Sequence, residues 1–280
     1  MLEAVRLQAR KEADRLGILN RLQTFGTWLQ SDPLGFAIYL LYFAACVLLT
    51  LTLHEIAHGY VAYRCGDPTA KMLGRLSLDP RKHLDPVGTL CLVFLGFGWA
   101  KPVPVNPRNF KDYRRDDFLV SIAGITVNLT LFLVSLALAV ALNGLLWKDE
   151  VIAAYGAREL LSSEGVGYLA LLYGRLGVND TLMKAPWLQY IQRFLLMFSG
   201  MNLSIGIFNL LPIPPLDGFH ILNDVILKGK LTLNQRAFQI AQFAVLALCL
   251  TGALSGVLST VIGAVGDAVL NLYLTIAGLR

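Results

Sequence analysis

His54, Glu55 and His58 are the residues of this chain best suited to chemistry, and they stand in the order His-Glu-Ile-Ala-His at the end of the apolar run 34–53. Ionisable side chains at membrane depth are costly and usually functional. Positions i and i+4 of a helix share a face, so His54 and His58 present two imidazoles to one point, at a spacing suited to a single Zn²⁺. Glu55 is offset by one residue. It is badly placed as a third ligand but well placed to reach a metal-bound water. This is the HExxH arrangement of two histidine ligands and a general base. The plain alternative is that these polar groups merely tie helices together.

A catalytic zinc takes three protein ligands and keeps one position open. The third must come from elsewhere, and His83, His220 and several carboxylates are available. Asp217, in Pro-Ile-Pro-Pro-Leu-Asp-Gly-Phe-His, is the strongest candidate. It ends a span expected to run in the same direction as the first, which puts it at a similar depth to His54. One Zn²⁺ with Asp217 and Glu55 ionised sums to zero charge, which limits the cost of burying the set. The alternative for Asp217 is a turn residue ahead of Gly218.

The elements that would position these groups are membrane elements. The 280 residues are 55% hydrophobic and 15% charged, well below the roughly 25% charged of soluble domains, and the mean hydropathy is +0.58. The net charge of +5 fits basic loops against an anionic leaflet. Nucleic acid is a poor reading, because no basic run is interleaved with aromatics. Cys46, Cys65, Cys91 and Cys249 show no paired spacing, so no disulfide framework is expected.

Residues 1–33 carry many charges and read as an amphipathic segment rather than a signal peptide. The first span covers 34–53 and runs on to about Arg64, with Pro33 as an entry signal and Gly66-Asp67-Pro68 as a stop. Within 69–85, residues 70–78 alternate loosely and suggest a small membrane-associated β element. Residues 87–100 are apolar but too short to cross, which suggests a re-entrant or interfacial hairpin. Lys101 to Asn109 is extended by its prolines. Residues 118–146 form a second span and 188–211 a third, with 147–187 as an inserted extramembrane segment bearing one or two surface helices. Residues 237–277 read as two spans, or one span plus an interfacial helix, bent near Gly252 and Gly256. The expected fold is thus an all-α polytopic membrane protein. It has a three-span core within 34–225 and extra C-terminal crossings within 226–280.

The stretch from Arg64 to Arg115 holds ten Lys or Arg, whereas 147–187 holds four against five acids. The positive-inside rule puts the first in the cytoplasm and the second outside, although the basic N-terminal arm opposes this orientation.

Two motifs in this order resemble the site-2 protease family of intramembrane zinc metalloproteases. They are His-Glu-Ile-Ala-His in a span and, far downstream, Asn209-Leu-Leu-Pro212-Ile-Pro-Pro215-Leu-Asp217-Gly218. Asp79-Pro80-Arg81-Lys82-His83-Leu84-Asp85-Pro86-Val87-Gly88 resembles the compact branch that lacks PDZ and CBS domains. The resemblance implies His54, His58 and Asp217 as zinc ligands and Glu55 as base. It also implies a three-span core with its site on the cytoplasmic side of a bacterial inner membrane, and regulated intramembrane proteolysis as the activity. One departure is Ile125, where the family often has proline in the span that carries Asn128.

In such an enzyme Glu55 would take a proton from water and return it to the leaving nitrogen. Asn128 is the expected oxyanion donor, with Asn209 holding substrate backbone; for each the alternative is a helix–helix hydrogen bond. A helical substrate must unwind, and residues 70–78 or Lys101 to Asn106 could pair with it as an added strand. Gly96, Phe97, Gly98 and Trp99 suggest a gate, or else an interfacial anchor. The expected partners are transmembrane protein substrates and the lipid bilayer, with a homo-oligomer left open. A zinc transporter and a catalytically silent scaffold are the rival classes. Transport needs a chain of histidines and carboxylates along the span, and 34–53 offers none.

Overall fold

Pro33 starts the longest apolar helix because its missing N–H costs nothing at the first helical position. Asp32 precedes it, and its Oδ1 accepts from the Gly35 amide at 3.1 Å, which satisfies one of the orphan donors of the first turn. The computed structural model describes residues 18–95, 99–174, 177–231 and 233–279. Helix α1 (Ile18–Ser31) leads into this long helix, α2 (Pro33–Cys65). The helix ends as Gly66-Asp67-Pro68 predicts: Gly66 takes φ +112°, its N–H reaches the Tyr63 carbonyl, and the Asp67 N–H reaches Ala62. That pair of bonds is a Schellman stop.

Among the described residues the remaining α-helices are α3 (Thr69–Met72), α4 (Pro86–Leu95), α5 (Tyr113–Leu146), α6 (Asp149–Leu161), α7 (Val166–Tyr173), α8 (Leu188–Asn209), α9 (Asp217–Val225), α10 (Gln235–Leu250) and α11 (Ser255–Ile276). Among the described residues, α2, α5, α8 and α11 are long and apolar enough to cross a membrane. The 22 residues of α8 and of α11 each span about 33 Å, matching a hydrocarbon core of about 30 Å. Residues 237–277 therefore divide into one helix long enough to cross and the shorter α10. Gly252 makes the break with φ +75°, while Gly256 lies inside α11.

The β element expected in residues 70–78 is not there. Thr69–Met72 is helical, the Asp67 carboxylate accepts from the Thr69 amide at 3.1 Å, and Gly74 at φ +64° closes the turn. Arg75 N–H reaches Ala70 and Gly74 N–H reaches Lys71, so a second Schellman stop wins over loose alternation. Pairing among the described residues is confined to two isolated bridges, Leu84 with Ala100 and Trp147 with Met183. No hairpin is shown over 87–100: among the described residues the only helix there is the ten-residue α4, too short to cross, and residues 96–98 of the expected gate lie outside the described residues.

The chain forms two compact units. One comprises Met1–Cys46, Leu131–Met201 and Ser259–Arg280. Within it Trp28, Tyr39 and Tyr173 pack with ring centroids 5.1–5.7 Å apart. Arg193 is 4% exposed and caps the end of α7 by donating to the Leu171 and Gly174 carbonyls. Arg158 on α6 pairs with Asp267 on α11 at 2.9 Å.

The other unit comprises Val47–Thr130 and Asn202–Leu258. Thr50, Thr52, Asn128 and Asn202 are buried there while Leu49 and Val257 are exposed. Polar groups that face protein and apolar groups that face outward are the pattern of a chain solvated by lipid. Asn202 on α8 donates to Thr50 Oγ1 on α2 at 3.1 Å.

Candidate metal centre

Helix α2 brings His54 and His58 onto one face, with their Nε2 atoms 3.0 Å apart and their rings nearly perpendicular at 82°. Asp217 reaches the same point from the first turn of α9, and its Oδ2 lies 3.4 Å from each Nε2. Gly218 makes that approach possible. A Cβ there would lie 2.3–2.6 Å from the Leu210 and Leu211 carbonyl oxygens, so only glycine lets α9 start directly against the chain leaving α8.

The set fits a zinc ion. Ligand bonds of about 2.0–2.2 Å in a tetrahedron place ligand atoms about 3.3 Å apart, close to the three separations found. Asp217 Oδ2 is buried with no hydrogen-bond partner, an expense a bound cation would remove.

Helix α5 backs the imidazoles with one stripe at i, i+4 and i+8. The Val120 carbonyl lies 2.7 Å from His58 Nδ1, and Asn128 Nδ2 lies 3.2 Å from His54 Nδ1. Between them Gly124 leaves the space the rings occupy: a Cβ there would be 2.5 Å from His54 Cε1 and from His58 Nε2. Val120 acts through its backbone carbonyl, so no side-chain pattern in the sequence marked it.

Glu55 is 8% exposed and stands outside the group of His54, His58 and Asp217 that could hold a metal ion. Its Oε2 accepts from the Val103 backbone N–H at 2.7 Å. That donor sits in the proline-extended segment, which Asp67 pins by accepting from Asn106 N and Asn109 Nδ2, each at 2.7 Å. Asp67 is fully buried. Burial alone would raise its pKa, but the hydrogen bonds from Thr69, Asn106 and Asn109 hold it below the usual carboxylate range.

A model of peptidase family M50 matches residues 42–252, most of the chain and all of the residues just described. The chain belongs to this family. The resemblance to site-2 proteases is therefore borne out. The Bacillus subtilis (strain 168) protein named "Putative zinc metalloprotease YwhC" is 36% identical over 83% of this chain and 90% of its own length. The Mycobacterium tuberculosis (strain H37Rv) protein named "Putative zinc metalloprotease Rip2" is 30% identical over 86% of this chain and 81% of its own. No solved structure matches.

Several expected residues of the M50 chain make hydrogen bonds outside the triad. His83 is fully buried, with Nε2 2.8 Å from the Ser77 carbonyl. Asn209 donates to Ile205 within its own helix at 3.0 Å. His220, three residues past Asp217, pairs instead with Asp117 at 3.1 Å, and that hydrogen bond raises its pKa. Gly96 and Gly98 lie outside the described residues.

Asp224 forms an acidic pair with Asp117. Burial first, and the Asp117 charge second, push its pKa up to about 6, against about 3.9 for an unfolded aspartate. The folded chain then binds a proton that the unfolded chain has released. The stability this adds is present below about pH 4 and is lost as pH rises through about 6. Asp224→Asn should therefore gain thermal stability over wild type at pH 7 and gain little at pH 4. Unfolding midpoints in detergent at the two pH values measure the difference.

Proposed function

We propose that this protein is a zinc endopeptidase that cuts other membrane proteins in or near their transmembrane segments, as a step of regulated intramembrane proteolysis. The observation that carries the reading is the convergence of His54, His58 and Asp217 with Glu55 beside them, on helices apolar enough to lie in lipid. Membership in a peptidase family and the zinc in its relatives' names support it.

His54 Nε2, His58 Nε2 and Asp217 Oδ2 would hold the zinc, which when bound would supply Lewis-acid chemistry to a scissile carbonyl and an attacking water. Glu55 takes the proton from that water and passes it to the leaving nitrogen. The Val103 N–H fixes one of its oxygens, so the carboxylate meets substrate in one orientation. Asn209 at the end of α8 remains a candidate to hold substrate backbone, and Gly96 and Gly98 to flex at the entrance. The surplus of lysine and arginine between Arg64 and Arg115 supports a site that faces the cytoplasm, in what we take to be a bacterial inner membrane.

The test is a purified zinc-loaded protein mixed with a single-span reporter in liposomes, with products sized by mass spectrometry. The expected cut lies within the reporter's span or a few residues from its end. Cleavage confined to soluble tails, or none at full zinc occupancy, would overturn the reading.

A further inference from the structure

Asn128 is fully buried, with 0% of its surface exposed, and its amide faces the ring of a metal ligand rather than open space. Its Oδ1 is buried without a partner. Resting on the reading of His54, His58 and Asp217 as a zinc site, we propose that Asn128 is a positioning residue whose side-chain oxygen accepts the Nδ1 proton of His54, leaving Nε2 free to bind metal.

The argument starts from His58. Its Nδ1 meets the Val120 carbonyl at 2.7 Å, and a carbonyl only accepts, so the ring proton resides on Nδ1. The Nε2 lone pair then points at Asp217 and His54. A ligating histidine is commonly fixed in this way, its far nitrogen donating to a carbonyl or carboxylate.

His54 needs the same arrangement, and the group opposite its Nδ1 is the Asn128 amide at 3.2 Å. With Nδ2 toward the ring, the amide donates to Nδ1. A neutral imidazole must then carry its proton on Nε2, directed at the His58 Nε2 only 3.0 Å away, where it blocks ligation. Turning the amide over leaves its shape unchanged and exchanges O for NH₂. Oδ1 then accepts from Nδ1–H, and His54 matches His58. The spacing supports the pairing. Val120 and Asn128 lie eight residues apart on one stripe of α5, so each faces one histidine of the i, i+4 pair on α2. Gly124 between them gives the rings room.

Zinc affinity measured by chelator competition on the purified full-length protein in detergent tests this. Wild type should hold one zinc. Asn128→Ala and the near-isosteric Asn128→Leu, which covers a folding defect in the first, should each bind zinc about 10- to 100-fold more weakly. Asn128→Asp keeps an acceptor toward Nδ1 and should restore wild-type affinity or exceed it. At saturating zinc the Leu variant should recover most of its cleavage of the reporter. Unchanged affinity in both Ala and Leu variants, or an Asp variant as weak as they are, would overturn the proposal. Intact zinc affinity with kcat lost in all three variants would instead make Asn128 an oxyanion donor. Wild type without stoichiometric zinc would refute the underlying metal site itself.

Discussion

Gly124→Ala should strip this protein of its metal while leaving its helices in place. The added Cβ would sit 2.5 Å from His54 Cε1, 2.5 Å from His58 Nε2 and 2.7 Å from His54 Nδ1, all far inside van der Waals contact. Both rings are held on their other edges, by the Val120 carbonyl and the Asn128 amide. Neither can retreat without giving up its orientation. Losing one hydrogen bond that orients a metal ligand costs about 10- to 100-fold in affinity. Displacing two ligands at once should exceed that, so zinc affinity should fall by more than about 100-fold, and cleavage with it. Alanine is also the better helix former by roughly 1 kcal/mol, so the zinc-free helix α5 should persist by circular dichroism. A variant that binds zinc like wild type would mean that the rings do not lie against α5.

The parts of this site that could be read in the chain are those that act through side chains at short spacing. His54 and His58 declare themselves because i and i+4 share a face whatever surrounds the helix. Gly66-Asp67-Pro68 declares the helix end, because its conformation is local. Asp217 is legible through its Pro-Pro-Leu-Asp-Gly setting, and the reason for Gly218 is the close approach of the Leu210 and Leu211 carbonyls.

What could not be read belongs to partners far apart in sequence. The reason for Gly124 shows only once α2 is laid against it. Val103 looks like a residue of a proline-rich connection, and only its backbone N–H matters to Glu55. Asp67 combines both cases. As part of a stop signal it is readable, but as the buried anchor of Asn106 and Asn109, about forty residues on, it is not. The failed strand over residues 70–78 has a related cause. Its weak alternation was the visible signal, whereas the winning bonds are a local cap from Asp67 and a glycine at positive φ.

Glu55→Gln should produce the sharpest split between binding and chemistry. Glutamine has the shape of glutamate, and its carbonyl oxygen can still accept from the Val103 N–H that now meets Oε2. The connection held by Asp67 should therefore stay in place, and so should His54, His58 and Asp217, the three proposed ligands. Zinc content should remain at the wild-type level. An amide, however, has no useful basicity near neutral pH. General acid–base catalysis contributes about 10²- to 10⁴-fold, and kcat for a transmembrane reporter should fall by that factor with KM little changed. The same variant discriminates the rival classes. A zinc transporter would keep moving metal across liposomes when Glu55 is replaced, and a silent scaffold would show no wild-type cleavage to lose. Retained zinc with undiminished cleavage would take Glu55 out of the proton path. The Val103 contact would then be its whole role, as an anchor for the extended segment rather than a base.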